Sequence, residues 1–169
     1  MKLPHKILSS VPVLLALLLG GCGFQLRGTA TLPFDTLFVQ AAPTSQFANQ
    51  FKRAVTFGST TRLVGAQKDA AATLVLVTEL REKNILSLSG TGRVREYQLR
   101  YRVAYRLIDR KGVEVAPAAE IVLNRDFSFN DNETLSKESE EALLFRDMQA
   151  DAVQQLLRRL QAARLNPAA

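Results

Sequence analysis

The sequence predicts an α+β domain in two layers. A four-stranded, mostly antiparallel sheet carries two α-helices packed on one face, in the order β-α-β-β-β-α. Three observations carry this expectation. Residues 93–109 alternate: Tyr97, Leu99, Tyr101, Val103, Tyr105 and Leu107 lie on one side, and Glu96, Gln98, Arg100, Arg102 and Arg106 on the other. That is a strand with one buried and one wet face. Turn residues at Gly90-Thr91-Gly92 and Asp109-Arg110-Lys111-Gly112 separate three consecutive strand patterns, which makes a meander. Two other segments place apolar residues on one helical face, and half-wet strands and amphipathic helices bury those faces against each other in layers.

The elements follow in order. Residues 22–34, with Gly23, Gly28 and Pro33, read as a tether into the fold. Thr36 to Gln40 reads as a strand that Pro43 ends, and Thr44 or Ser45 is a candidate N-cap for a helix of about 13 residues. Phe47, Phe51, Ala54 and Val55 share one face of that helix, and Gly58 is its expected C-cap. The helix is placed to be the crossover of a right-handed parallel pair. Arg62 to Val64 offers a short extended piece. Ala72 to Leu80 is apolar on both faces, as a central strand requires, and is expected to continue with a bend through residues 83–89. Ala119 to Phe129 forms the last strand, with Ile121, Leu123, Phe127 and Phe129 on one face. Asn130-Asp131-Asn132 stops the sheet and caps a helix from about Glu133 to Ala163. Its stripe is Leu144, Met148, Ala152, Leu156 and Leu160, with Val153 and Leu157 beside it. Glutamates near its start and Arg158, Arg159 and Arg164 at its end match the helix dipole. The single domain is expected over residues 35–163, followed by a short tail at 164–169.

Ahead of the domain, Lys2 and Lys6 precede an apolar run from Val11 to Leu19, and Leu19-Gly20-Gly21 leads to Cys22, the only cysteine. A basic segment, a short apolar segment and small residues before a cleavage point form a bacterial secretion signal. A cysteine directly after that point marks a lipoprotein signal, so residues 1–21 are expected to be cleaved and Cys22 to be lipidated. The run is broken by Ser9, Ser10 and Pro12 and falls short of the roughly 20 apolar residues of a spanning helix. Gly23, where an Asp would favour retention at the inner membrane, points to the outer membrane.

Composition narrows the chemistry. Lys2 and Lys6 leave with the signal, so the remaining 148 residues carry 20 Lys and Arg against 16 Asp and Glu, a net +4. The only histidine, His5, lies in the signal, and the sequence has no Trp. Ser-His-Asp and Cys-His nucleophile arrangements and His/Cys zinc sites are therefore excluded from the mature chain. No glycine-rich phosphate loop is present, and no cofactor or metal site is expected. Glu138, Glu140 and Glu141 form the densest acidic cluster, but a place near a helix start accounts for them without acid–base catalysis. Arg100, Arg102 and Arg106 form the most basic strand surface, with Arg93 and Arg95 near its start. A solvated strand face furnishes such residues routinely; an anion or partner surface uses them for bidentate contacts. Nucleic acid is not expected, because stacking aromatics are missing from that face.

At this level the chain resembles the LPS-assembly lipoprotein LptE family. The resemblance rests on the order and spacing of Gly21-Cys22-Gly23-Phe24-Gln25-Leu26-Arg27-Gly28, Arg95-Glu96-Tyr97-Gln98-Leu99, Arg125-Asp126-Phe127-Ser128-Phe129-Asn130-Asp131-Asn132, and the helix from Asp147-Met148 to Arg159. It implies a non-enzymatic, lipid-anchored outer-membrane protein that binds inside a β-barrel, LptD, one to one. It also implies help in barrel assembly, a place as the barrel's plug, and a part in inserting lipopolysaccharide into the outer leaflet. Lipopolysaccharide contact is implied at Lys137. A second family contact falls at Gly90, where this chain has no charge, and Arg93 or Arg95 stands nearby to supply it. The competing reading is a stand-alone lipid or lipopolysaccharide carrier or sensor, which needs a sizeable apolar cavity. An Asp/Glu hydrolase is the enzyme alternative.

Overall fold

The computed structural model describes residues 31–163. The signal segment, Cys22 and the tail at 164–169 lie outside the described residues. The sheet is mixed and has five strands, in the order β2-β1-β3-β4-β5. Strand β1 (Thr36–Gln40) runs parallel to both neighbours, β2 (Arg62–Leu63) and β3 (Ala72–Leu88). Strands β4 (Val94–Asp109) and β5 (Glu114–Ser128) complete the antiparallel meander. The strand beyond the four expected is β2, the short extended piece, joined to β1 through Thr36↔Arg62 and Leu37↔Leu63.

Helix α1 (Gln46–Gly58) starts at Ser45, whose Oγ accepts the Ala48 amide at 3.0 Å. Its other end departs from expectation. Gly58 is the last helical residue, and Ser59 is the cap, donating both its amide (3.0 Å) and its hydroxyl (2.8 Å) to the Val55 carbonyl. The hydroxyl serves a terminal carbonyl that a left-handed glycine would otherwise satisfy. Helix α2 (Thr134–Ala162) likewise begins after a single 3-10 turn, Asp131–Glu133, and it is this turn that Asn130 caps, through Asn132 N at 3.1 Å.

Both helices cover one face of the sheet. Leu37, Phe47, Phe51, Leu74, Leu99, Tyr101, Val103, Met148, Leu156 and Leu160 fill the interface and are at most 1% exposed. The buried set begins earlier than the expected domain boundary. Leu32 and Phe34 join the core, and Thr61 Oγ1 donates to the Phe34 carbonyl at 2.9 Å. The tether thus gives up its last residues to the fold.

Strand β3 departs from simple alternation. Its pairing with β4 shifts between Leu76 and Thr78 and again between Ile85 and Ser87. Before the first bulge Leu74 and Leu76 face the helices. After it, Glu79, Arg81 and Lys83 do, opposite Val103, Tyr101 and Leu99. One inserted residue, Val77, therefore turns a row of charges toward the helix layer. Irregular pairing also explains why β5 starts at Glu114, ahead of the expected Ala119: the register shifts twice between Tyr105 and Ile108, which blurs the alternation there.

Leu156→Ala should cost about 2–5 kcal/mol, as core truncations do, and lower the urea midpoint accordingly. Leu135→Ala, at a side chain 82% exposed, should stay within about 0.5 kcal/mol of the parent.

Candidate functional site

The β3–β4 hairpin extends past the aliphatic core, and a polar seam holds it. Glu79 accepts hydrogen bonds from Ser45 Oγ at 2.6 Å and Tyr101 Oη at 2.9 Å. The hydroxyl that caps α1 thereby ties that helix to β3. Arg81 Nη2 donates to Gln46 Oε1 (3.1 Å) and Gln149 Oε1 (2.8 Å), and Gln149 Nε2 reaches Gln50 Oε1 at 2.6 Å. The guanidinium also lies 5.9 Å from the Tyr101 ring centre and 5.7 Å from that of Phe145. Lys83 pairs with Glu141 at 2.6 Å and sits 4.2 Å from the Tyr97 ring centre, with Phe127 and Phe129 within 5.7 Å. Those three rings pack on one another, Tyr97 stacked on Phe127 and edge-on to Phe129. Burial pushes the Tyr101 phenol well above its usual range; the Glu79 charge and hydrogen bond raise it further, and Arg81 offsets part of this.

Beyond the seam lies the hairpin end. Ile85, Leu86 and Leu88 are roughly half exposed there, next to the Ser89–Gly92 turn. The structure brings Arg93, Arg95 and Lys137 to this same end. Arg93 lies 3.9 Å from Asp131, and the Arg95 carbonyl accepts the Phe129 amide at 2.8 Å. Lys137 donates to Ser128 Oγ at 3.3 Å and to Glu140 at 2.8 Å, with only 14% of its side chain exposed. An aliphatic patch and three cations thus share one end of the molecule.

The strand arginines on the open sheet face belong to a different surface. Arg102 pairs with Glu120 at 2.7 Å, Arg106 with Glu114 at 3.7 Å, and Arg100 faces Glu82 at 3.9 Å without a hydrogen bond. Each of the three has a carboxylate on a neighbouring strand, as a solvated strand face provides. Of the acidic cluster, Glu140 and Glu141 are taken by Lys137 and Lys83. A groove of ≈ 720 Å³ between β3 and the helices is lined by charged and amide side chains, among them Arg81, Lys83, Glu138, Arg146 and Gln149. Seven of its nine lining side chains are charged or amide, and Ala142 and Phe145 supply an apolar wall. Among the described residues no cluster of three His, Cys, Asp or Glu side chains is placed to hold a metal ion, and no helix is long and apolar enough to cross a membrane.

Sequence reasoning missed the seam. The signal was there in Glu79, Arg81 and Lys83 at i, i+2 and i+4 on a strand, but their inward direction depends on the bulge at Val77, which no residue type announces.

The fold and its site define a small α+β domain with an amphiphilic end. Residues 34–160 match the family model for LptE, lipopolysaccharide-assembly, and the chain belongs to that family. Its relatives include the LPS-assembly lipoprotein LptE of Photorhabdus laumondii, 29% identical with 92% of this chain and 86% of the relative covered. The same-named protein of Yersinia pestis is 28% identical over 92% and 76%. Among solved structures, lipoprotein B from Nitrosomonas europaea is 41% identical with a TM-score of 0.73, covering 83% of this chain and 91% of that one. The rare lipoprotein B of Shewanella oneidensis is 26% identical with a TM-score of 0.66, over 75% and 94%. This is a family of outer-membrane lipoproteins of lipopolysaccharide assembly, and not an enzyme family.

Two outcomes test the seam. The Tyr101 phenol is raised in the fold, so the unfolded chain loses its proton first as pH climbs through about 10. The stability this contributes is complete below that pH and is lost above it. Urea titrations above about pH 10 should therefore show the parent losing stability faster than Tyr101→Phe; parallel curves would contradict the buried phenol. A double-mutant cycle of Lys83→Met with Tyr97→Leu should return a coupling of about 0.5–1 kcal/mol for the cation over the ring, and a coupling of zero would dissolve the contact.

Proposed function

We propose that this chain is the lipid-anchored partner of the LptD β-barrel: it binds within the barrel, assists its assembly, stays as its plug, and contacts lipopolysaccharide with its hairpin end. The observation that carries the reading is the composition of that end. Ile85, Leu86 and Leu88 stand beside Arg93, Arg95 and Lys137, and an acylated, phosphate-bearing glycolipid offers matching apolar and anionic groups. Family membership supplies the setting. The open sheet face supports the plug role, because a barrel lumen is polar and water-filled and the Arg100, Arg102 and Arg106 surface is polar and internally paired. Chemistry is left to no residue of this domain.

Lys137 makes the contact by exchanging partners. Glu140 holds it in the free protein, and a lipid A phosphate replaces that carboxylate. Arg95 needs no such exchange, since its side chain is exposed and in no ion pair among the described residues.

Extraction of outer membranes in gentle detergent should yield a tagged chain in a one-to-one complex with a large β-barrel protein; recovery of free monomer alone would sink the plug reading. Lys137→Asp should weaken lipopolysaccharide binding roughly tenfold, the equivalent of one charge-assisted hydrogen bond of about 1.5 kcal/mol, and leave the complex intact. Unchanged affinity in a direct titration would return Lys137 to a solvated helix position paired with Glu140.

A further inference from the structure

The end opposite the hairpin has a different surface. It is formed by the start of β1, the last turns of α1 and α2, and the β4–β5 turn. Several bonds fix this assembly: Arg62 N donates to the Asp35 carbonyl (2.9 Å), Thr36 Oγ1 accepts the Ala71 amide (2.8 Å), and Arg110 Nε reaches the Ala70 carbonyl (3.3 Å). Arg158 of α2 shares a groove with Phe57 and Gly58 of α1. Arg62, Lys68, Arg110, Lys111 and Arg158 are all exposed at this end, and none is in an ion pair among the described residues.

The carboxylates here do not cancel them. Asp109 accepts the Lys111 and Val113 amides at 2.8 and 2.9 Å, and Glu114 lies 3.7 Å from Arg106. Asp109 keeps its charge while accepting those amides, so Asp35, Asp69 and Asp109 stand against five cations. Two apolar side chains stand out into solvent beside them, Phe57 at 83% and Val113 at 60% exposed. The hairpin end is closer to balance, since Asp131, Glu133, Glu138 and Glu140 at the start of α2 stand with Arg93, Arg95 and Lys137.

The chain also enters at the basic end, because Leu32 and Phe34 lead into β1 there. Cys22 precedes Thr31 by nine residues. Fully extended, that stretch spans about 30 Å at most. Acyl chains on Cys22 would hold this end, and not the hairpin, within reach of the headgroup layer.

We propose that the basic end docks on the headgroup phosphates of an anionic phospholipid surface, with Phe57 and Val113 at the interface, so that the hairpin end points away from the leaflet that holds the acyl chains. The docking rests on the reading of Cys22 as the acylated residue for its proximity to the surface. Clustered Lys and Arg next to a lipid anchor supply a second, electrostatic signal, and two signals hold a protein on a membrane better than one. The gain here is orientation: a domain held only through its acyl chains would otherwise tumble, and docking presents one end to the lipid and the other to the interior of a partner.

The test uses the acylated full mature chain in vesicles containing a nitroxide-headgroup lipid. With Cys22 acylated, an introduced cysteine is the only free thiol. One fluorophore is placed at Thr60→Cys, at the basic end; another at Gly90→Cys, where an added Cβ meets nothing within 4 Å. In phosphatidylglycerol-containing vesicles at low salt the Thr60 position should be strongly quenched and the Gly90 position should not. Quenching at Thr60 should fall to the Gly90 level in phosphatidylcholine vesicles, in about 1 M salt, where the screening length is about 3 Å, and in the variant Arg62→Gln/Lys68→Gln/Lys111→Gln/Arg158→Gln. A control, Arg95→Gln, should leave it unchanged. Equal quenching at both ends, or quenching at Thr60 that ignores lipid charge and the four substitutions, overturns the docking. Retention through the high-salt wash reads the anchor separately: a chain that washes off refutes the acylation of Cys22, and the low-salt quenching is then read in a Cys22→Ser background, where the introduced thiol is again the only one.

Discussion

The row Glu79, Arg81 and Lys83, part-buried at Glu79 and more exposed beyond it, is the constraint on which the rest of the structure depends. Charges turned toward a helix layer lose solvation and persist only when each is paired or hydrogen-bonded. Every member of the row is satisfied, and every partner comes from an element that must then sit in one place. Ser45 and Gln46 fix the start of α1; Glu141, Phe145 and Gln149 fix α2; Tyr97 and Tyr101 fix β4. The aliphatic core does the same work nearer the other end, where Leu74, Leu107, Val55 and Leu160 pack. The domain is thus oily where the chain enters and polar where the hairpin reaches out.

That division bears on function. On the function proposed above, a surface that meets lipopolysaccharide or a barrel wall must stay solvent-facing and shaped before the partner arrives. Ile85, Leu86 and Leu88 stay exposed, while two residues earlier on β3 Lys83 is fixed by the Tyr97 ring and the ion pair to Glu141. The hairpin end is then held out as a fixed platform, with Arg93 and Arg95 at its rim.

Much of the fold was legible because the chain repeats its signals. The β4 alternation runs for a dozen residues, and its inward members are the buried ones. The α2 stripe from Leu144 to Leu160 is core from Met148 onward. Ser45 was one of two readable caps, with Thr44, but Gly58 misled, since glycine at a helix end suggests a left-handed cap and Ser59 supplies a hydroxyl instead. What stayed hidden depends on register. The partners of Arg100, Arg102 and Arg106 lie on adjacent strands, and only the alignment of β3 and β5 with β4 brings Glu82, Glu120 and Glu114 to them. The seam was hidden more deeply, because Val77 carries no mark that it is the extra residue. Lys137 shows the reverse: its pairing with a glutamate three residues on was readable from spacing alone.

Residue-resolved amide hydrogen exchange on the double variant Arg81→Met/Lys83→Met tests the seam most directly. Its removal should collapse protection in the outer hairpin, residues 83–88 and 94–99, and leave residues 72–76 and 103–109 protected to the level of global unfolding. Protection unchanged along the whole hairpin, or lost uniformly from both halves, would contradict the claim that these charges, and not the aliphatic core, hold the presented end in place.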